Sequence, residues 1–318
     1  MPELYVGDRH WTVARGSNLL DSLNQGGLGI PYSCRAGSCH ACLVKCVQGE
    51  PEDALPQALD PGKRAEGWRL ACQCRVVEDL TVQAFDPLRD GLPAQVVGAD
   101  WLSAAVLRLR LEPERPLRYR AGQHVVLWTD SGVARTFSLA SLPGEDLYLE
   151  FHIDCSQPGA FTDVARVLRI GDRIGLGELR GGALHYDPDW QERPLLLLAA
   201  GTGLGPIWAI VREALRQEHL GPIRLVHVAR DHSEHYLRAE LATLADVLVQ
   251  QVVPEELDAC LADLRKLSRR TIALLCGSPS SVEAFAKRLY LAGVPRNQVL
   301  SDMFSGAGTG RTAYGKIG

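Results

Sequence analysis

The chain has 318 residues, and a prior of about 150 residues per domain predicts two or three domains. Hydrophobic residues at 46% and charged residues at 23% exclude a disordered or fibrous protein, and 34 basic against 38 acidic residues argue against a general nucleic-acid binder. No apolar run reaches the ~18 to 20 residues of a membrane helix, and no N-terminal signal pattern is present, so a cytosolic protein without a membrane span is predicted.

The first predicted domain comprises residues 1–88. Residues 4–6 and 11–13 can pair as a hairpin, and Ser17 can cap the short helix that follows. A cysteine-rich loop comes next, and the stretch 86–95 collects Pro, Gly and Asp, which is typical of a linker. The pattern predicts a small α+β domain.

Two further domains are predicted, over residues 93–190 and 193–318. In the first, apolar and polar residues alternate with a period of two, most clearly over 147–154, which predicts an antiparallel β-barrel. In the second, strands alternate with helices, two of which are expected near residues 236–244 and over 257–267. Runs that are apolar on both faces predict a parallel α/β sheet. The predicted fold is therefore multidomain, α+β and α/β, with a Gly-rich tail after Phe304.

Six of the nine cysteines fall within residues 34–74, which favours metal over disulfide chemistry. Cys34, Cys39 and Cys42 are separated by four and two residues, and Cys72 follows after 29 more. This is the C-x4-C-x2-C…C spacing of a plant-type 2Fe-2S site, in which four thiolates hold two irons. Small residues in the loop allow backbone N–H groups to reach the sulfur atoms.

Alternatives remain open for these cysteines. Cys39, Cys42 and Cys46 form a fragment of the C-x2-C-x3-C run of another cluster, and four thiolates could also close a structural zinc site. The fourth ligand could be Cys72 or Cys74. We prefer Cys72 because RLACQ resembles the ferredoxin pattern in which that cysteine follows Leu-Ala, and we expect Cys46 and Cys74 to be buried thiols.

Residues 1–88 resemble the plant-type ferredoxins. The resemblance implies a β-grasp fold around the cysteine loop, with a 2Fe-2S cluster on the four cysteines. His40 stands where those proteins usually have a smaller residue, and we expect its side chain to face solvent.

RTFSLAS, at 135–141, resembles the R-x-[YF]-[ST] motif of the ferredoxin-NADP reductase family, whose flavin binds against an antiparallel barrel. The planar fork of an arginine suits a phosphate. The resemblance implies that Arg135 binds the flavin phosphate, Phe137 flanks the isoalloxazine and Ser138 lies near flavin N5, where hydride arrives. GAFT, at 159–162, resembles the G-x-[FL]-[ST] of the same family, whereas GELRGG, at 177–182, lacks the proline of the usual G-P-x-G. The flavin-binding residues implied are Arg135, Thr136, Phe137, Ser138, His152, Ile153, Gly159, Phe161 and Thr162.

AAGTGLGP, at 199–206, follows an apolar strand and precedes a helix, which suits a pyrophosphate against the helix dipole. It differs from the G-x-G-x-x-G of a Rossmann dehydrogenase and resembles the nicotinamide-domain turn of the reductase family. CGSP, at 276–279, resembles C-G-P-P, whose cysteine lies beside the nicotinamide, although Cys276 could be a buried strand thiol. The nucleotide-binding residues implied are Gly201, Thr202, Gly203, Gly205, Pro206, Arg230, Cys276, Gly277 and Pro279.

Two further positions bear on the reaction. Phe304 resembles the family aromatic that covers the flavin or nicotinamide ring, or else it belongs to the C-terminal core. With Ser138 and Cys276 it completes the predicted catalytic set. After the strand IRLVHVA, Asp231 suits a ribose hydroxyl and Arg230 suits the phosphate of NADP, so NADH is preferred and NADPH possible.

The order of ferredoxin, flavin barrel and nicotinamide domain resembles the reductase components of bacterial Rieske-type and diiron oxygenases. An N-terminal ferredoxin usually accompanies FAD in that group. The resemblance implies electron transfer from NAD(P)H through FAD to the 2Fe-2S cluster and on to a protein acceptor, an oxygenase or its ferredoxin, by a monomer. A self-contained reductase of a small molecule or sugar nucleotide and a redox-sensing protein remain alternatives.

Overall fold

The computed structural model describes residues 1–181, 183–264 and 267–304. Gly182 of the GELRGG stretch and the Gly-rich tail after Phe304 lie outside the described residues. The strands form three large sheets in chain order, spanning residues 3–84, 92–180 and 195–303, together with one small three-stranded sheet in the first part.

The first part is a mixed sheet with a helix packed on it. Its elements are β1 (Glu3–Val6), β2 (Arg9–Thr12), β3 (Ser17–Asn18), α1 (Leu19–Gln25), β4 (Leu43–Gln48), β5 (Glu52–Asp53), α2 (Pro61–Ala65), β6 (Trp68–Leu70), β7 (Cys74–Val76) and β8 (Leu80–Ala84). The large sheet has the order β2-β1-β8-β4-β6, in which β1 and β8 are parallel. Helix α1 buries Leu19, Leu20 and Leu23 in the same core as the sheet, which confirms the predicted β-grasp.

The local predictions for this part are confirmed with one shift. The hairpin pairs Leu4 with Trp11, as the sequence pattern predicts. Ser17 was the wrong cap: Asn18 precedes the helix with an extended backbone, and its side chain accepts a hydrogen bond from the Asp21 N–H. An N-cap needs this geometry at the residue directly before the first turn, and Ser17 lies one residue too early.

The second part is antiparallel throughout. Its elements are β9 (Leu92–Trp101), β10 (Val106–Pro113), β11 (His124–Trp128), β12 (Ala134–Ser138), β13 (Leu149–Asp154), α3 (Ala160–Ala165) and β14 (Arg173–Arg180). The six strands are ordered β12-β11-β14-β9-β10-β13. Among the described residues the two edge strands meet at one isolated bridge, Leu139 to Phe151, beside a 2.8 Å hydrogen bond from the Ala140 N–H to the Glu150 carbonyl. The antiparallel prediction is confirmed, but the expected barrel is not closed by a continuous ladder.

The third part is a parallel sheet between helices. Its elements are β15 (Leu195–Ala200), α4 (Leu204–Arg216), β16 (Ile223–Val228), α5 (Arg238–Ala242), β17 (Val247–Val252), α6 (Leu257–Cys260), β18 (Ile272–Gly277), α7 (Pro279–Leu291) and β19 (Val299–Met303). The strand order β17-β16-β15-β18-β19 confirms the predicted α/β sheet. All strands are parallel, but successive strands are added on one side of β15 up to β17 and on the other side from β18 onward, so the strand order reverses between β15 and β18. Ligands of such sheets bind at the carboxyl ends of the strands where the order reverses.

Two helices of the third part are shorter than the pattern predicts. The helix expected near residues 236–244 begins only at Arg238, because Leu237 has a left-handed backbone with φ of 55°. The helix expected over 257–267 ends at Cys260. No helix in the described ranges is long and apolar enough to cross a membrane.

The first two sheets share a hydrophobic core. Phe85, at the end of the first sheet, stacks on Trp128 of β11 with ring centroids 4.9 Å apart, and Trp68 lies 5.8 Å from Phe85. Val126 and Ala134 of the second sheet belong to the same buried cluster. The ferredoxin-like part is therefore packed on one face of the antiparallel sheet.

Candidate functional site

The four predicted cluster cysteines meet as two pairs. The Cys34 and Cys39 thiols are hydrogen-bonded to each other, as are those of Cys42 and Cys72. The bond from Cys39 is the main cause that lowers the pKa of Cys34 to about 4, and the bond from Cys42 is the main cause that lowers the pKa of Cys72 to about 7. Two adjacent thiol pairs suit two irons, each bound by two protein sulfurs.

Backbone and side-chain N–H groups surround these sulfurs. The N–H groups of Ala36 and Cys39 lie 3.3 and 3.4 Å from Cys34 Sγ, and Gln73 Nε2 donates to Cys72 Sγ over 3.2 Å. The loop can turn these groups inward because Gly37 takes a left-handed backbone with φ of 78°. The donor set of four thiols ringed by N–H groups therefore fits a 2Fe-2S cluster.

The other two cysteines of this region, Cys46 and Cys74, are buried. Cys46 is 8% exposed and Cys74 is completely buried, as expected of core thiols. Burial raises the pKa of Cys46 to about 12 and also raises that of Cys74. Within residues 1–181, 183–264 and 267–304, no three His, Cys, Asp or Glu side chains are grouped to hold a single metal ion.

The prediction that His40 faces solvent is wrong. His40 is 2% exposed, and its Nδ1 is hydrogen-bonded to Glu178 Oε2 on β14 of the antiparallel sheet. The reason is tertiary, since the His40 end of the cysteine loop lies against that sheet, while Arg35, Ala36 and Ser38 of the same loop are exposed. Sequence reasoning did not assign Glu178 any role. The sequence marked this position in one way only: Glu178 follows Gly177 at the place where related reductases usually have proline.

The RTFS strand presents two different faces. Side chains of a strand alternate, so Thr136 and Ser138 share the face of their neighbours Val126 and His124, whereas Arg135 and Phe137 lie on the other. Buried within the described structure, Thr136 Oγ1 has no hydrogen-bond partner. An orphaned hydroxyl of this kind fits a strand that binds a polar ligand.

Phe137 joins the RTFS strand to the GAFT segment. Its ring lies 4.7 Å from the ring of Phe161, which is buried in α3. Gly159 precedes that helix, and Thr162 Oγ1 donates to the Gly159 carbonyl over 3.1 Å. Arg135 donates to the Ala134 carbonyl, and burial lowers its pKa. The two segments predicted to hold the flavin are therefore neighbours.

His152 and Ile153 have no open face. Ile153 is completely buried in the core of the antiparallel sheet. His152 Nε2 lies 3.0 Å from Glu150 Oε1, and its Nδ1 lies 3.3 Å from the hydroxyl of Tyr236 in the third part of the chain. Both rings of that last pair are buried and meet edge to face. The side chain of His152 thus joins the antiparallel sheet to the segment before α5, a role that the motifs did not indicate.

The Gly-rich turn lies where the parallel sheet reverses its order. Gly201 to Gly203 form a 3-10 turn between β15 and α4. A Cβ on Gly203 would lie 2.3 Å from the Cys276 carbonyl oxygen, and one on Gly205 would lie 3.2 Å from His152 Nδ1. Thr202 is half-buried and Pro206 is buried in the first turn of α4. The two glycines therefore permit close approach of the turn to its neighbours.

The CGSP segment ends β18 beside this turn. Cys276 is fully buried, and burial raises its pKa well above the ordinary value. Gly277 has φ of 148° and packs on Ala200. Pro279 occupies the first turn of α7 after the cap Ser278, which is a common structural use of proline.

The predicted catalytic residues Ser138, Cys276 and Phe304 are linked by pairwise contacts through residues that lie between them. Ser138 is paired with His124 across β11 and β12, and His124 Nδ1 lies 3.9 Å from Asp302 Oδ2. Asp302 is in turn paired with Cys276 across β18 and β19. The Phe304 N–H donates to the Gly277 carbonyl over 2.9 Å, while its half-buried ring packs on the core. The three residues therefore lie around one edge where the second and third sheets meet.

The same edge adjoins the cysteine loop. His124 lies near Arg180, His40 and Cys34, and burial, followed by the positive charge of Arg180, lowers the pKa of His124 to about 4. Ser138, the strand partner of His124, therefore lies near the cysteine loop. The arrangement can bring a hydride-accepting group and a one-electron acceptor side by side.

The two positions predicted to select the donor lie at the surface after β16. Arg230 forms an ion pair with Glu234 at 2.9 Å, and Asp231 accepts a hydrogen bond from the Ser233 N–H at 2.7 Å. Both predicted residues are exposed. The positive charge of Arg230 is therefore already matched by a carboxylate.

Comparison with known proteins agrees with the geometry. Residues 6–77 match the 2Fe-2S iron-sulfur cluster binding domain, and residues 197–258 match the oxidoreductase NAD-binding domain. The chain is 32% identical to the reductase subunit of an aromatic O-demethylase from an Amycolatopsis species, over 89% of this chain and 92% of that protein. It is 27% identical to reductase component 1 of terephthalate 1,2-dioxygenase from a Comamonas species, over 96% and 98% of the two chains.

A solved structure shows the same likeness over the whole chain. The crystal structure of the Amycolatopsis cytochrome P450 reductase superposes with a TM-score of 0.66 and 28% identity, covering 97% of this chain and 100% of that one. The matches span all three sheets in the same order. The chain belongs to the family of iron-sulfur flavoprotein oxidoreductases that act as NAD(P)H-dependent reductase components of oxygenase systems.

Proposed function

We propose that this chain accepts electrons from NADH and passes them through FAD and a 2Fe-2S cluster, one at a time, to an oxygenase or to its ferredoxin. The observation that carries the proposal is the pairing of four thiols beside the edge that holds Ser138 and Cys276. When bound, FAD supplies the exchange between a two-electron donor and a one-electron acceptor, while the protein supplies orientation and exclusion of side reactions.

The residues of the chain have distinct parts in this proposal. Cys34, Cys39, Cys42 and Cys72 are the four ligands of the cluster. The RTFS and GAFT segments bind FAD, for which the orphaned Thr136 hydroxyl and the Phe137–Phe161 contact are the support. The turn 201–206 and the CGSP segment bind the dinucleotide, supported by their position at the reversal of strand order.

The donor is proposed to be NADH. A phosphate on the adenosine ribose needs an available cation, and the guanidinium of Arg230 is already paired with Glu234. Glu234 also adds a negative charge that would repel that phosphate. Catalytic efficiency with NADH should therefore exceed that with NADPH, and Glu234→Gln should raise the efficiency with NADPH more than that with NADH.

The acceptor is proposed to approach the outer edge of the cysteine loop. Arg35, Ala36 and Ser38 are exposed there, whereas His40 and Ala41 are buried. This edge is the part of the loop that a partner protein can reach. We further propose that the chain is a cytosolic monomer with domains at 1–88, 93–190 and 193–318, which size-exclusion chromatography and limited proteolysis would test.

The test is reduction of a protein acceptor by purified, fully loaded enzyme. Under anaerobic conditions, NADH should drive reduction of an oxygenase component or its ferredoxin at a rate that depends on the acceptor concentration. A Cys72→Ser variant should retain NADH oxidation with ferricyanide, which takes electrons from flavin, but should lose protein reduction. Efficient reduction of a metabolite, as distinct from an artificial oxidant such as ferricyanide, without any second protein would contradict the proposal and favour a self-contained reductase.

A further inference from the structure

One carboxylate links the cysteine loop to the antiparallel sheet. Glu178 lies on β14, and its two oxygens bind two different elements of the ferredoxin-like part. Oε2 is hydrogen-bonded to His40 Nδ1 in the loop, and Oε1 forms an ion pair with Lys63 Nζ of α2 at 2.5 Å. Glu178 therefore holds both the loop and the helix beside it.

The pair is well shielded from water. The side chain of His40 is completely buried and that of Glu178 is 11% exposed. Burial alone would raise the pKa of Glu178, but hydrogen bonds from His40 and Lys63 outweigh it and lower the pKa to about 2. The carboxylate is consequently ionised at neutral pH, and hydrogen bonds to an ionised group are the stronger kind.

A second contact from the same strand supports the first. Arg180, two residues along β14 and hence on the same face, donates from Nη2 to the Ala58 carbonyl over 3.0 Å. Directly before Glu178, Gly177 lies so close to Trp128 that an added Cβ would be 3.0 Å from its Nε1. Trp128 is the residue on which Phe85 stacks. The strand thus contributes polar contacts at the loop and, at Gly177, leaves room for Trp128.

The loop has a specific need for such an anchor. His40 follows the cluster cysteine Cys39 directly and has a left-handed backbone with φ of 56°, which is uncommon outside glycine. The side chain that occupies this conformation is the one that Glu178 binds. A misplacement of about 1 Å between reacting groups can slow a reaction severely, so an anchor at this point would act on the distance between the cysteine loop and the flavin-binding edge.

We propose that Glu178 is a positioning residue for intramolecular electron transfer, holding the cluster loop at a fixed distance from the flavin-binding edge through His40 and Lys63. The inference rests on the proposed function, because it presumes a cluster on the four cysteines. It assigns a role to the contact between His40 and Glu178, which are 138 residues apart. Neither the cysteine motif nor the flavin-binding motif explains this contact.

The experiment compares Glu178→Gln and Glu178→Ala with a matched control, Glu114→Gln. Glu114 forms an ion pair with Arg173 on the same sheet, but both partners are exposed and lie outside the cysteine-loop contact. Anaerobic rapid mixing with NADH separates flavin reduction from cluster reduction. Hydrogen exchange of backbone amides in the loop 35–41, followed by mass spectrometry, gives a readout that does not depend on turnover.

We expect flavin reduction to stay within about twofold of wild type and cluster reduction to slow by about tenfold or more in Glu178→Ala, with faster amide exchange in the loop. The cluster spectrum and iron content should be unchanged. The control should match wild type in every measurement. His40→Asn, which tolerates the left-handed backbone, should give the same kinetic split, and the double variant should be no slower than the single ones.

Three results would overturn the proposal. These are unchanged cluster reduction in both Glu178 variants, slowing of the flavin and cluster steps together with loss of iron, and additive effects in the double variant. If Glu178→Ala does not fold, Glu178→Gln and Lys63→Ala carry the test, since Lys63 is 40% exposed in its side chain. A wild-type protein that reduces no cluster would instead refute the proposed function, so the two failures are distinguishable.

Discussion

Gly203 offers the sharpest test of how the nucleotide turn is built. A methyl group at this position would lie 2.3 Å from the Cys276 carbonyl oxygen, 2.6 Å from its carbonyl carbon and 2.9 Å from the Gly277 nitrogen. All three are backbone atoms of a central strand, so no flexible side chain can move aside. Gly203→Ala must therefore push the turn away from β18. Overpacking of this kind costs roughly 1–3 kcal/mol of the free energy of unfolding.

The displaced turn should also bind NADH less well. The assay is urea unfolding followed by tryptophan fluorescence, together with the KM for NADH in a dye-reduction assay. Gly98→Ala is the control, because a Cβ there would make ordinary contacts of 3.5 Å with Arg110. We expect the control to match wild type. A Gly203→Ala protein with unchanged unfolding and unchanged KM would refute the close approach of the turn to Cys276.

Three further predictions follow from the buried contacts. Tyr236→Phe leaves His152 Nδ1 without its 3.3 Å partner and should lower the free energy of unfolding by about 1–2 kcal/mol, while the exposed Tyr148→Phe should not change it. The pKa of Glu150 is about 2 because bonds from His152 and Arg110 outweigh its burial, so its stabilisation is present above the ordinary value of 4.5 and is lost as pH falls towards 2. Between neutral pH and pH 2, the free energy of unfolding of Glu150→Gln should therefore fall by up to about 3 kcal/mol less than that of wild type. Parallel curves of unfolding free energy against pH for the two proteins would contradict this prediction. Cys72→Ser should lose iron and acid-labile sulfide, whereas Cys74→Ser should keep both; the opposite result would move the fourth ligand to Cys74.

Much of this architecture could be predicted because its signals are local. The spacing of Cys34, Cys39 and Cys42 is set within one loop, and the thiol pairs form as a 2Fe-2S site requires. The apolar run of β15 and the glycines after it likewise fix a strand, a turn and a helix without help from distant residues. Short-range sequence patterns were therefore enough to assign each of these features to the correct part of the chain.

The missed features depend on contacts between distant segments. His40 was expected at the surface because nothing near it in sequence shows that Glu178 lies above the loop. The Tyr236–His152 contact and the incomplete closure of the antiparallel sheet have the same origin, since each depends on how one sheet packs or registers against another. Pattern reasoning reports which face of a strand is buried, but not which other segment covers it.

We expect electrons to pass from a flavin at the Ser138 edge to irons on the four cysteines. Anaerobic rapid mixing of the fully loaded protein with NADH follows this transfer directly. Flavin absorbance should be lost first, and cluster absorbance should fall afterwards at a separate rate. Cluster reduction that precedes flavin reduction, or a purified protein in which those cysteines carry no iron and sulfide, would contradict this expectation.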